Sequence, residues 1–147
     1  MQSQAAPVTR APIHVSTGAR PYLLTAPSEP TAPKTARDFV RAVLRPTGLG
    51  ALLDTAVLLT SEAVTRCHLH TPRSADILLR LLTAGHGLRI SVHDTARVRI
   101  PRPAPPDGEQ GADHGLLLTG HLADAWGTTP CEGPRATSLW FELYLGR

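Results

Sequence analysis

The chain has 147 residues and a mass of 15.7 kDa, the size of one domain with one modest hydrophobic core. Hydrophobic residues make up 41% and aromatic residues 4%, so aliphatic side chains must supply that core, and the sequence argues against base-stacking platforms for single-stranded nucleic acid. The net charge is +3, 14 of the 15 cations are Arg, and the basic excess falls in residues 1–45; the nearly neutral remainder lacks the basic face that direct nucleic-acid binding needs.

No stretch reaches the roughly 18 apolar residues of a membrane span, and the first 20 residues lack the apolar segment of a secretory signal. A soluble, cytoplasmic protein is expected. Cys67 and Cys131 are too few for a disulfide framework and read as free thiols. Residues 1–19 mix Gln, Ser, Ala, Pro, Thr and Gly without a period and are expected to form a flexible arm. Arg20 to Pro27 reads as an edge strand with proline near both ends, and such an edge can serve as a homodimer contact. Thr31 or Thr35 can cap a helix through Arg37, Phe39, Val40, Val43 and Leu44, stopped by Pro46 and Gly48.

A second helix is expected from about Gly50 to His70. At 100° per residue Leu53, Val57, Thr60, Val64 and Cys67 share one face, flanked by Ala56 and Ala63, while Glu62, Thr65, Arg66 and Leu69 occupy the other. Two strands follow, Ala75 to Leu82 and Leu88 to His93, joined by a Gly-containing loop in which glycine supplies positive φ. Residues 95–114 lose all periodicity and carry four prolines and two glycines, a pattern expected of a lid or an insert. Gly115 to Ala125 reads as a short helix, and Ser138 to Leu145 as a closing strand with Leu139, Phe141, Leu143 and Leu145 on one face.

The elements and six short segments occur in a recognisable order: Ala36-Arg37, Ser61-Glu62-Ala63-Val64-Thr65, Val92-His93-Asp94, His114-Gly115-Leu116-Leu117-Leu118, Ala123-Asp124-Ala125-Trp126-Gly127 and Thr137-Ser138-Leu139-Trp140-Phe141-Glu142-Leu143. Over about residues 20–146 the chain resembles the GHKL ATPase domain of the bacterial anti-sigma factor serine kinases, and particularly the small actinobacterial ATP-binding regulators related to them. The Arg bias and the 14 prolines fit a GC-rich genome. The resemblance implies an α/β (α+β) two-layer sandwich with a Bergerat-type fold: a mixed, mostly antiparallel sheet covered by about three helices, residues 20–147 forming the domain and 95–114 its lid.

The same resemblance implies a nucleotide site at Glu62, Arg66, Asp94, Ala96, Asp113, His114, Gly115, Leu116 and Thr137. Glu62 stands at the general base. Arg66 stands where the family places an Asn that ligates Mg²⁺, and a cation cannot ligate that ion. Asp94 matches the carboxylate that accepts the adenine amino group, Ala96 replaces a Gly two residues on, and Asp113 replaces a Gly beside the phosphates. ATP or ADP is therefore the implied ligand, with its binding weakened or lost and with Mg²⁺ deprived of a ligand. Arg66 can pair with Glu62 or meet phosphate oxygens in a bidentate fork.

By the same analogy, partner contacts are expected at Arg37 and Arg41, with a sigma factor or an anti-sigma antagonist as the partner. The leading expectation is an anti-sigma-factor-like regulatory protein that sequesters a transcriptional partner and is not an enzyme. The alternative is an active ATP-dependent serine/threonine protein kinase acting on an anti-sigma factor antagonist, with Glu62 catalytic. Cys67-His68-Leu69-His70 suggests zinc, but no second ligand pair accompanies it, and no metal site is expected. A Ser or Cys nucleophile lacks its usual sequence context. Trp126 and Trp140 are expected to pack in the core.

Overall fold

A computed structural model describes residues 11–96, 117–130 and 137–146. Its elements are β1 (Arg20–Pro27), α1 (Ala32–Leu44), α2 (Leu53–Leu69), β2 (Asp76–Ala84), β3 (Gly87–Asp94), α3 (Leu117–Leu122), β4 (Ala125–Pro130) and β5 (Thr137–Tyr144). Short 3-10 turns occur at Val15–Thr17 and Gly50–Leu52. The strands form one open sheet in the order β1-β2-β3-β5-β4, and every pairing among the described residues is antiparallel. The α+β sandwich is thus as expected, with an antiparallel rather than a mixed sheet.

Residue spacing explains which side of each element is buried. On α1 the buried residues are Ala32, Ala36, Val40 and Leu44, a stripe repeating every fourth position and thus lying on one face. On the sheet, Ile77, Leu79 and Leu81 of β2, Leu88, Ile90 and Val92 of β3, and Phe141 and Leu143 of β5 alternate along their strands and meet the helices in one core. Helix α2 buries Ala56, Val57, Leu59, Thr60, Ala63 and Val64. Leu59 lies outside the stripe expected from a single apolar face. It is buried because α2 packs against α1 as well as against β2, β3 and α3, so more than one side of it is covered.

Four expectations need correction. Residues 11–19 were expected to belong to a flexible arm, yet Ile13 is 1% exposed and packs with Ala19, Leu82 and Tyr144 on the sheet face opposite the helices. The His86 ring nitrogen Nε2 lies 2.8 Å from the Ala11 carbonyl oxygen, adding a polar tie to that apolar contact. Secondly, the β2–β3 turn is only Gly85-His86, and the left-handed glycines of the described residues are Gly18 (φ 93°) and Gly146 (φ 76°). Glycine serves the hairpin through close approach instead: a Cβ on Gly87 would lie 2.3 Å from the Leu143 carbonyl oxygen.

Thirdly, the helix expected over 115–125 is α3, which ends at Leu122, and Ala125 opens β4, a strand absent from the sequence reading. Fourthly, neither tryptophan lies in the core. Trp126 is 37% exposed. Trp140 lies half-buried on the outer side of the sheet, over Gly127 and beneath the Arg89 guanidinium, whose Cζ is 4.0 Å from the ring centroid. Arg89 also pairs with Glu142 at 2.7 Å.

Candidate functional site

The outward face of α2 forms one wall of a cavity of about 470 Å³, lined by Leu58, Ser61, Glu62, Thr65, Arg66, Leu69 and His70, with Leu118 contributed by α3. These α2 positions recur at intervals of three and four, so one helical face presents them all. Glu62 and Arg66 sit one turn apart on that wall, as their spacing predicts. His70, at the end of α2, completes the rim.

Glu62 is held by α3. Its Oε2 accepts the Leu118 N–H at 3.1 Å, and its Oε1 accepts both the Thr119 N–H at 3.0 Å and the Thr119 hydroxyl at 2.5 Å. Thr119 is fully buried. A carboxylate with three donors on its two oxygens is a strong acceptor cluster, and here it serves to fix the first turn of α3 over the cavity.

Just past the C-terminal end of α2, Thr71 is 4% exposed, and its hydroxyl lies 2.9 Å from Asp94 Oδ2 and 2.5 Å from the Cys67 carbonyl oxygen, two acceptors that share its one proton. Asp94 Oδ1 accepts the Ala96 N–H at 2.9 Å, so the residue that replaces the expected glycine keeps its backbone in use. Asp94 lies at the last position of β3. The bond from Thr71 fastens that strand end to the end of the helix bearing Glu62 and Arg66.

Arg37 and Arg41 were expected to meet a partner protein. Arg37 donates to the Ser61 hydroxyl at 2.8 Å, across the α1–α2 contact and at the cavity wall. Arg41 pairs with Asp38 at 3.1 Å, and Asp38 with Lys34 at 2.8 Å. The Lys34 hydrogen bond, with the nearby charges of Lys34 and Arg41, holds the exposed Asp38 carboxyl below its ordinary pKa. Asp113, His114, Gly115 and Leu116, and the expected lid apart from Thr95 and Ala96, lie outside the described residues. Thr137 opens β5.

The structure therefore joins Glu62 and Arg66 in one cavity and brings Arg37 to its wall through Ser61, whereas Asp94 is tied to Thr71 just past the end of α2, and neither of those two is among the cavity's lining residues. Sequence reasoning missed the roles of Ser61, Thr71 and Thr119. For Thr71 a signal existed: it is a hydroxyl residue immediately past the expected end of the second helix at His70. Among the described residues Ser28 Oγ lies 3.0 Å from His68 Nδ1, but Ser28 is fully buried and ties α2 to the β1–α1 connection. Among the described residues, no group of three or more His, Cys, Asp and Glu is placed to hold a metal, and no helix is long and apolar enough to cross a membrane.

The family model of the histidine kinase-like ATPase domain matches residues 26–141, from the end of β1 into β5. No curated protein matches the chain significantly.

Proposed function

Because the chain belongs to the histidine kinase-like ATPase domain family, we propose that it is a regulatory binding protein that keeps the family's pocket but does not use it for phosphoryl transfer. Its partner is a transcriptional protein, a sigma factor or an anti-sigma antagonist, which it sequesters in the cytoplasm. The observation that carries this reading is the engagement of Glu62 by Leu118 and Thr119. A general base must reach the proton that it removes, whereas this carboxylate is used to hold α3. The open edge of β1 supports self-association as a further contact.

A nucleotide fits this reading only in part. Asp94 offers a carboxylate to an adenine amino group, and the tie to Thr71 keeps that acceptor in place. Mg²⁺ does not fit: the cavity wall carries the Arg66 guanidinium, and Glu62, the carboxylate among the lining residues, is already committed to three donors. The test is to incubate the purified protein with ATP, Mg²⁺ and candidate antagonists, and in parallel to capture sigma factors on it. Stable capture of a sigma factor or an antagonist, with repression of one promoter class in vivo and no phosphate transfer, is the expected result. Phosphate transfer abolished by Glu62→Gln would instead establish the kinase.

A further inference from the structure

We propose that the protein has a second ligand site, at the opposite end of β3 from Asp94, and that this site takes a compact monocarboxylate with an apolar body. A cavity of about 370 Å³ lies there, near the lower end of the range of about 300–1,000 Å³ for small-molecule sites. It shares no described lining residue with the cavity on α2. Strand register explains how it forms. Arg20 pairs with Thr83 and Tyr22 with Leu81. Tyr22 and Leu81 belong to the core beneath the helices, so alternation puts Arg20 and Thr83 on that same side of the sheet, one step past it. At this step α1 has ended, at Leu44, and α2 has yet to begin, at Leu53. The turn Thr47-Gly48-Leu49 between them forms the wall instead. The Thr47 hydroxyl is spent on that turn, donating to the Leu44 carbonyl at 2.6 Å and accepting the Leu49 N–H at 3.1 Å.

The charge of the lining selects the ligand. Among the described residues that line the cavity, Arg20 is the one charged side chain, and it makes no ion pair with a described residue. Its guanidinium is a planar fork of N–H donors that matches the two oxygens of a carboxylate and keeps its charge at any working pH. One cation balances one negative charge, whereas the second charge of a phosphate would stay uncompensated. The helix ends do not change this sign, because the wall turn runs from the C-terminal end of α1 to the start of the 3-10 turn that leads into α2, and the partial charges of those two ends oppose each other. Gly48 and Gly85, both on the wall, have neither a left-handed φ nor any atom within 4 Å of where a Cβ would stand. Neither conformation nor packing demands glycine at these positions, and their N–H groups bond to no described backbone carbonyl. The missing side chains keep those peptide groups open at the cavity wall, while the Tyr22 ring, Leu49 and Ala84 supply apolar contact for the body of the ligand.

The experiment is an NMR titration of the whole chain with benzoate, with benzamide, its neutral analogue, and with phenyl phosphate, using wild type, Arg20→Gln and Arg20→Lys. The expected result is a benzoate-dependent shift of the Gly18, Gly48 and Gly85 amides, with benzamide at least about tenfold weaker and phenyl phosphate no tighter than benzoate. Arg20→Gln should lose at least about tenfold in benzoate affinity, and Arg20→Lys, which keeps the charge but not the fork, should fall between. Arg20 is exposed at the first position of β1, so an unchanged Tm in both variants tells a lost ligand contact from a damaged fold. Should either variant lose stability, the contrast between benzoate and benzamide in wild type decides alone. Benzamide bound as tightly as benzoate, or a stable Arg20→Gln that binds benzoate as wild type does, overturns the carboxylate assignment, and so does phenyl phosphate bound about tenfold or more tighter than benzoate. Benzoate shifts centred on the α2 wall, at Thr65 and Leu69, or no shift with any of the probes, removes the site, and the reading of the α2 cavity stands in either case.

Discussion

Thr119 delivers both its backbone N–H and its hydroxyl to a single oxygen of Glu62, 57 residues away in the chain, at 3.0 and 2.5 Å. This contact makes α3 dependent on α2. A six-residue helix cannot stand by propensity alone, and the carboxylate supplies the partner that its first turn needs. Glu62→Ala should therefore cost about 2 kcal/mol, with loss of hydrogen-exchange protection concentrated at the Leu118 and Thr119 amides. Glu62→Gln keeps one acceptor oxygen and should lose about half as much. Unchanged exchange at both amides in Glu62→Ala would show that α3 is held by packing instead.

The hydroxyl of Thr60 faces the core, fully buried and without a hydrogen-bond partner among the described residues. Burial of such a group costs more than the same volume of hydrocarbon. Thr60→Val, nearly isosteric and equally branched at Cβ, should stabilise the protein by about 1 kcal/mol and raise its Tm by about 3 °C. A lower Tm would mean that the hydroxyl has a role that the packing does not reveal.

Gly85 lies in the β2–β3 turn and Gly87 directly follows it, but they differ in what surrounds them. A Cβ on Gly87 meets the Leu143 carbonyl oxygen at 2.3 Å and Tyr144 at 3.2 Å, while a Cβ on Gly85 meets nothing within 4 Å. Gly87→Ala should therefore cost about 3 kcal/mol by pushing β5 away from β3, and Gly85→Ala should fall within about 0.5 kcal/mol of wild type. Urea midpoints of the two variants check the contrast.

Asp38 has its carboxyl pKa lowered from the ordinary 3.8 by the Lys34 hydrogen bond first, and then by the charges of Lys34 and Arg41. A lowered folded-state pKa means that the carboxylate contributes stability above 3.8, which disappears as the pH falls through the lower folded value. The group is exposed to solvent, so salt screens the effect. Asp38→Asn should accordingly match wild type near pH 7 in high salt and show a shallower loss of stability on acidification below pH 4, measured by urea unfolding across that range.

How far the sequence discloses this structure depends on the separation of the interacting residues. The face shared by Glu62, Thr65, Arg66 and Leu69 was legible because helical spacing alone generates it. So were the core sides of β3 and β5, where apolar and polar residues alternate. Strand β4 was not, because Ala125-Trp126-Gly127-Thr128 has no alternation of its own and gains its register only from pairing with β5. The burial of Ile13 was equally hidden, since a polar, proline-containing stretch reveals nothing of the distant Leu82 and Tyr144 that receive it. Of the site, the charges could be read from the sequence, but their partners could not. Arg37 finds Ser61 across 24 residues, Thr71 finds Asp94 across 23, and Glu62 finds Thr119 across 57.

The two tryptophans occupy positions that make them separate optical gauges. Trp126 rests its indole against α3, within 3.9 Å of where a Cβ on Gly120 would lie, so its emission responds to the segment that Glu62 holds over the cavity. Trp140 lies between Arg89 and Gly127, where β3, β5 and β4 meet, and its emission responds to the integrity of the sheet. With Trp140→Phe or Trp126→Phe, each signal can be followed alone and without an added dye, so that movement at the cavity mouth and melting of the scaffold become two distinguishable fluorescence changes in one small protein.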